Sequence, residues 1–201
     1  MREWKDREVA DERFDGEDFD DFRFVGCVFV RCSFRRARLV EARTEDCRFD
    51  TCDFRDARLN ASEHDRSDFS NSSFDGASLF SARFAGCRLL GASFVKADLS
   101  GLEIDGGDWS FANLRGQTLR GAGFSRVKLV ETDFYDADLG DADLRHADLT
   151  GASLDKAVLA GADLRGAELA RVDLRTANLR GARIDIAHAI LLAQAFGAVV
   201  S

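Results

Sequence analysis

The sequence predicts an all-β solenoid, a chain wound into stacked short-sided coils and finished by a short C-terminal helix. Three observations carry that expectation. A large apolar residue returns every fifth position from Trp4 to Ile184, at 35 of 37 sites, and no insertion or deletion shifts the frame. A small residue stands two places before it, with 18 alanines among the 32 sites from Cys27 to Ala182. The interval excludes the regular alternatives: a helix repeats near 3.6 residues and a strand near 2, so neither keeps every fifth residue on one face.

Residues 1–184 form the solenoid. The large residue and the small one before it lie two apart, so in extended backbone both point to one side. The next small residue comes three places later and would face outward on a straight strand. The chain must therefore turn at the two polar residues after each large one. Each pentapeptide becomes one extended side and one corner, and the resulting coils stack about 4.8 Å apart. Two patterns favour four sides, so that four pentapeptides complete a coil. The large residues at 39, 59, 79, 99, 119, 139, 159 and 179 are all leucine, and the only polar ones, Thr44 and His64, also lie 20 apart. Nine such coils make a rod roughly 43 Å long. Phe fills the N-terminal half of the bore, and Leu fills it from Leu139 to Leu179.

Mid-chain, Leu102, Gly107 and Gln117 break the small-residue rule. They mark a bulged or bent coil, or a place that responds to a partner. Leu90 and Phe111 fall on the wall of neighbouring coils and are ordinary surface or a contact patch. The period stops after Ile184. Residues 185–201 form the terminal helix and tail, with Asp185 as N-cap and Gly197 as C-cap. Between them only His188 and Gln194 are polar, so the helix needs cover on two sides. One side plugs the bore over Leu174, Leu179 and Ile184. The other fits a two-fold partner, through Ile186, Ile190, Leu191, Leu192 and Phe196, or is covered by the chain's own tail in a monomeric cap aided by Val199 and Val200.

The candidates for chemistry read as structure. The cysteines Cys27, Cys32, Cys47, Cys52 and Cys87 all occupy the small inward site, where a free thiol is a compact hydrophobe rather than a metal ligand or disulfide. His64 and Thr44 fit a hydrogen-bonded pair in or near the wall. No Ser–His–Asp set, paired acid or phosphate loop emerges, and a filled tube leaves no substrate cavity. The expectation is a protein that is not an enzyme, with no cofactor and no metal. No run of about 18 apolar residues suggests a membrane span, and the charged N-terminus does not resemble a secretory signal. The cytoplasm is the expected compartment. A net charge of −8 disfavours direct contact with nucleic-acid phosphates and suits a basic protein partner. Residues 131–143 carry Glu131, Asp133, Asp136, Asp138, Asp141 and Asp143 with no base, wrapping over half a coil; they are a partner-binding acidic surface, or solvated wall residues of which some pair with arginine on neighbouring coils. Residues 1–21 hold ten acids against four bases.

ADLGD, ADLRH, ADLTG, ADLRG and ANLRG stand in the chain as the A(D/N)LXX pattern. By these motifs the chain resembles the pentapeptide-repeat family over about residues 4–184, and the resemblance implies a right-handed quadrilateral β-helix. LEIDGGDWSFANLRG, from Leu102 to Gly116, and ARIDIAHAILLAQAFG, from Ala182 to Gly197, are similar to segments of the MfpA and Qnr fluoroquinolone-resistance group. That narrower resemblance implies a homodimer joined by the terminal helix. It further implies a rod that imitates duplex DNA and binds DNA gyrase or another type II topoisomerase, inhibiting it or protecting it from quinolones. Qnr proteins carry loops that interrupt the coil; none stands here, so the chain is nearer the MfpA type. The residue-level alternative is a β-helical scaffold for a partner that is not a topoisomerase.

Overall fold

Each pentapeptide does make one side and one corner in the computed structural model, which describes residues 2–200. The second residue after nearly every large one sits at positive φ, as at Asp11 (59°), Asn71 (57°) and Asp141 (58°), with Thr176 an exception near the end. Gly adopts this left-handed conformation freely, and Asn and Asp tolerate it through local hydrogen bonding. Many corners are tied by a backbone bond back to the large residue, as from Ala37 N–H to Phe34 O at 3.0 Å.

Corners repeated at every pentapeptide close the chain into a right-handed quadrilateral β-helix, four pentapeptides to the coil. The register is parallel: Trp4 lies beside Phe24, Thr44 beside His64, and Phe84 beside Ile104. One side carries a six-stranded sheet of β1 (Glu3–Lys5), β3 (Arg23–Val25), β5 (Arg43–Glu45), β7 (Glu63–Asp65), β8 (Arg83–Ala85) and β9 (Glu103–Asp105). The next side carries β2 (Glu8–Ala10), β4 (Val28–Val30) and β6 (Arg48–Asp50). It continues as single bridges through Asp68, Arg88, Asp108 and Lys128 to Glu168. The remaining two sides are joined by single bridges, such as Ser33 to Asp53 and Arg38 to Arg58.

This register builds the core. A parallel ladder places the same column position directly above itself at the coil spacing, which suits offset ring stacking. Phe49 stacks on Phe29 and on Phe69, both at 4.8 Å between ring centres. Phe54 stacks on Phe34 and on Phe74, both at 4.9 Å. Neighbouring columns meet edge to face, as Phe49 meets Phe54. Each buried Phe or Leu contributes about 1.5–3 kcal/mol, which offsets the ordering of a thin rod. At the N-terminal end Trp4 meets Phe14, Phe19, Phe22 and Phe24 edge-on, with the Arg7 guanidinium 4.6 Å from its ring.

The other end is closed by α1 (Ile186–Ala195). Asp185 caps it, accepting from His188 N–H, and its second carboxylate oxygen accepts from Gly166 N–H at 3.0 Å. Gly197, at φ 85°, ends it. The bonds from Gly197 N–H to Gln194 O and from Ala198 N–H to Ala193 O, both 2.9 Å, form a Schellman closure. His188, in sequence only a polar interruption, is the helix's anchor. It is buried, and its Nε2 lies 2.9 Å from Ala167 O of the last coils.

Candidate functional site

Among the described residues the bore is filled mainly by buried Phe, Leu and small side chains. Its one polar cluster lies where Thr44 and His64 replace Phe or Leu. His64 Nδ1 lies 2.9 Å from Thr44 Oγ1 and Nε2 lies 2.9 Å from Ser62 Oγ. Thr44 Oγ1 also lies 3.0 Å from Ser67 Oγ, and Ser62 Oγ lies 2.8 Å from Leu59 O, so each hydroxyl has a second partner besides the ring. Burial lowers the His64 pKa to about 3, so the ring is neutral. The cysteines fill small sites, and burial pushes Cys47 up to about 11 and Cys52 and Cys87 up to about 12. Their thiols have a further use that composition does not reveal. A donor at a small site reaches the carbonyl of a large residue on the coil before: Cys27 to Trp4, Cys87 to His64, Ser72 to Phe49 and Thr132 to Trp109.

What remains is the outer wall. Here the structure gives most acids of residues 131–143 an arginine partner, as the alternative reading of that stretch expects. Asp133 pairs with Arg115 at 2.9 Å, Asp138 with Arg120 at 3.6 Å, and Asp141 with Arg120 at 2.5 Å. Asp143 pairs with Arg145 at 2.7 Å, and that bond holds its carboxyl below the usual range. Glu131 pairs with Arg171, two coils on, at 2.9 Å. Of the six acids only Asp136 has no ion pair among the described residues. Coils stacked about 4.8 Å apart bring side chains of successive coils within reach of one another, and a linear window misses those partners.

Acids without an ion pair are densest in the first coil, where Lys5 and Arg7 are also unpaired among the described residues. Asp6, Glu8, Glu12, Glu17 and Asp21 have no cationic partner within 4 Å among the described residues. Ion pairs do occupy their neighbours, such as Asp11 with Arg31 at 2.7 Å and Glu3 with Arg23 at 3.4 Å. The excess of acids over bases in residues 1–21 was legible, but which of them stay bare was not.

The terminal helix presents a second exposed feature. Ile186 is 81% exposed and Phe196 71%, and Ile190 and Leu191 are also exposed. Leu192, grouped with them from the sequence, is turned the other way and packs against the core. Helix spacing explains the split, because Leu192 lies one helical turn past the buried His188 and so shares its face. No helix among the described residues is long and apolar enough to cross a membrane.

Comparison with known proteins places this geometry. The family model for pentapeptide repeats matches residues 52–89, 77–108, 110–145 and 142–181. The coil itself starts earlier, at β1, where Phe, Arg and Cys displace the A-D-L pattern. A trypsin-treated variant of QnrB1, a plasmid-mediated fluoroquinolone resistance protein, superimposes with a TM-score of 0.87 at 23% identity, covering 99% of this chain and 100% of that one. Full-length QnrB1 gives 0.67 at 21% identity, covering 98% and 100%. HetL, a pentapeptide repeat protein involved in heterocyst differentiation regulation in the cyanobacterium Nostoc, gives 0.57 at 27% identity, covering 90% and 88%. No curated protein matches the chain in sequence.

Proposed function

The chain belongs to the pentapeptide-repeat family, and from that premise we propose that it is a DNA-mimicking rod that binds DNA gyrase, inhibiting it or protecting it from fluoroquinolones. The observation that carries this reading is a charge of −8 displayed on a rod whose bore is filled, so that the outer surface is the working part. A basic DNA channel attracts such a surface as it attracts phosphates. The end-to-end superposition on QnrB1, a fluoroquinolone resistance protein, supports the same choice of target. The bare acids of the N-terminal coils, with Asp136 further along, are the proposed contact points. The exposed residues Ile186, Ile190, Leu191 and Phe196 join two rods tail to tail as a homodimer. The pair spans about 90 Å, comparable to some 26 base pairs at about 3.4 Å each. A gyrase partner places the protein in the cytoplasm.

The test is a gyrase supercoiling assay with purified protein, with and without a fluoroquinolone. Inhibition, or relief of drug inhibition, at micromolar protein supports the reading; the absence of both rejects it. One observation favours a second reading, a scaffold for a partner other than a topoisomerase: most acids of residues 131–143 are already neutralised by arginine. A stable dimer with no effect on gyrase in either assay selects that reading.

A further inference from the structure

Between two successive coils in mid-rod the backbone ladder is broken on two adjacent sides. The register calls for Leu99 N–H to meet Thr118 O and for Ile104 N–H to meet Gly123 O, and neither bond forms among the described residues. The bridges Asp98–Thr118 and Glu103–Gly123 are missing too, although Ser78–Asp98 lies below and Thr118–Asp138 and Gly123–Asp143 lie above. The other two sides of the same coils stay joined where they meet at Phe111, although Lys96 N–H, at the far end of one of them, also lacks the bond to Arg115 O that the register calls for. Phe94 N–H donates to Asn113 O at 3.0 Å, and Trp109 N–H donates to Lys128 O at 2.8 Å. The open sides meet at the corner of Gly101 and Gly121; the closed sides meet at the opposite corner, at Phe111. The only comparable gap among the described residues is one-sided, at Ser153 and Asp173 near α1.

A groove of about 410 Å³ runs along residues 95–100 and 115–118, beside the unmade bonds. The residues that break the small-site rule supply the cause. Gln117 and Leu102 are too large for the small sites of the two open coils. Gln117 reaches into the interior, where its Nε2 donates to Phe94 O at 2.6 Å, and Leu102 is buried. Gly107 acts in the opposite sense on a closed side. It lets the chain approach so near that an added Cβ would sit 2.2 Å from Cys87 O.

We infer that the rod is hinged here, with a rigid part on each side that tilts about the Phe111 corner as the Gly101–Gly121 corner opens and closes. Bending about the closed edge breaks no ladder bond, because the bonds it would stretch are not made. Elsewhere along the mid-rod the same tilt would rupture a full set of backbone bonds. The hinge fixes the curvature that the wall presents to any partner, so the inference does not depend on which partner it is.

Hydrogen exchange of the unaltered protein comes first. The amides of Leu99, Ile104, Thr118 and Gly123 exchange at least about 100-fold faster than their bonded counterparts at Leu79 and Asp143. Equal protection overturns the inference. Paired spin labels then read the motion; the five native thiols are buried, so label goes to introduced cysteines. Glu41→Cys with Asp141→Cys spans the open corner, and Thr51→Cys with Arg171→Cys spans the closed one. The open-corner pair gives a broad distance distribution centred beyond the roughly 24 Å of five closed coils, and the closed-corner pair a narrow one near roughly 29 Å. Adding Leu102→Ala and Gln117→Ala narrows the first and leaves the second unchanged. A narrow open-corner distribution in the protein with its native Leu102 and Gln117 means a fixed kink or no opening, and rejects the hinge even if the alanine variant does not fold.

Discussion

His64 makes the stability of the rod depend on pH in a way that one substitution removes. The ring is buried and neutral, with its pKa lowered from 6.5 to about 3 by desolvation. In the unfolded chain it takes a proton below about pH 6.5, while the folded protein takes none until about pH 3. A lowered histidine pKa leaves stability intact above the unfolded value and removes it as pH falls. Each pH step below 6.5 removes about 1.4 kcal/mol, so the loss is about 2 kcal/mol at pH 5 and approaches about 5 kcal/mol near pH 3. His64→Phe abolishes this dependence without stranding a partner. Thr44 keeps its bond to Ser67 and Ser62 keeps its bond to Leu59 O. Phe84 lies in the same column, 4.6 Å from the His64 ring, so an aromatic ring fits there. Urea unfolding of both proteins at pH 7, 6 and 5 is the assay, and comparing them at each pH cancels the carboxylates they share. The variant gains about 2 kcal/mol on the unaltered protein between pH 7 and 5. A difference that stays flat across that range refutes the assignment of His64 as a buried neutral ring.

Four further outcomes follow from the geometry. Gly107→Ala forces a Cβ against Cys87 O at a φ of 96°, and a loss of about 3 kcal/mol is expected in thermal or urea unfolding. Phe49→Ala empties the middle of a three-ring stack and lowers stability by about 3–5 kcal/mol in the same assays. Ile186→Asp with Phe196→Asp converts a dimer to a folded monomer by sedimentation, whereas Leu192→Asp destabilises the single chain, because only Leu192 packs on its own core. Reversing Glu12, Glu17 and Asp21 to lysine weakens gyrase inhibition more than reversing Asp138, Asp141 and Asp143, measured as the concentration for half-inhibition of supercoiling; the reverse order contradicts the placement of bare charge.

The coil was legible because its grammar is local. Large and small residues at fixed spacing state which side chains face inward, and the pair Thr44 and His64 and the leucine column state that the coil has four sides. The bonds from the thiols to carbonyls of the preceding coil were not legible, since Cys and Ala satisfy the pattern equally as small residues. His188 was hidden for a different reason. Its role depends on where the helix axis falls over the last coil, and the pentapeptide pattern stops before it. Leu102, Gly107 and Gln117 were visible as exceptions, but their effect required knowing that two of them sit on adjacent sides of facing coils and the third on a closed side.

The wall is where linear reading fails, and the failure has a definite form. In a four-sided solenoid a wall side chain has two kinds of neighbour: the next outward residue of its own coil, and the residues at and beside the facing position of the coil above or below. Arg55 reaches Asp53 in the first way, and Arg38 reaches Asp20 and Arg66 reaches Asp46 in the second. A run of acids is therefore bare only if both adjacent coils lack bases at the matching positions. Residues 131–143 fail that condition because Arg115 and Arg120 lie just below them. The first coil, with a coil on one side only, keeps five acids free of ion pairs among the described residues. The coil facing it carries Arg23, Arg31, Arg35, Arg36 and Arg38, so residues 1–41 hold eleven acids against nine bases, whereas residues 98–155 hold twelve against five. Bare acid and net negative charge therefore belong to different parts of the rod. A partner that contacts bare carboxylates is distinguished from one that reads net charge by which of the two sets of charge reversals weakens binding more.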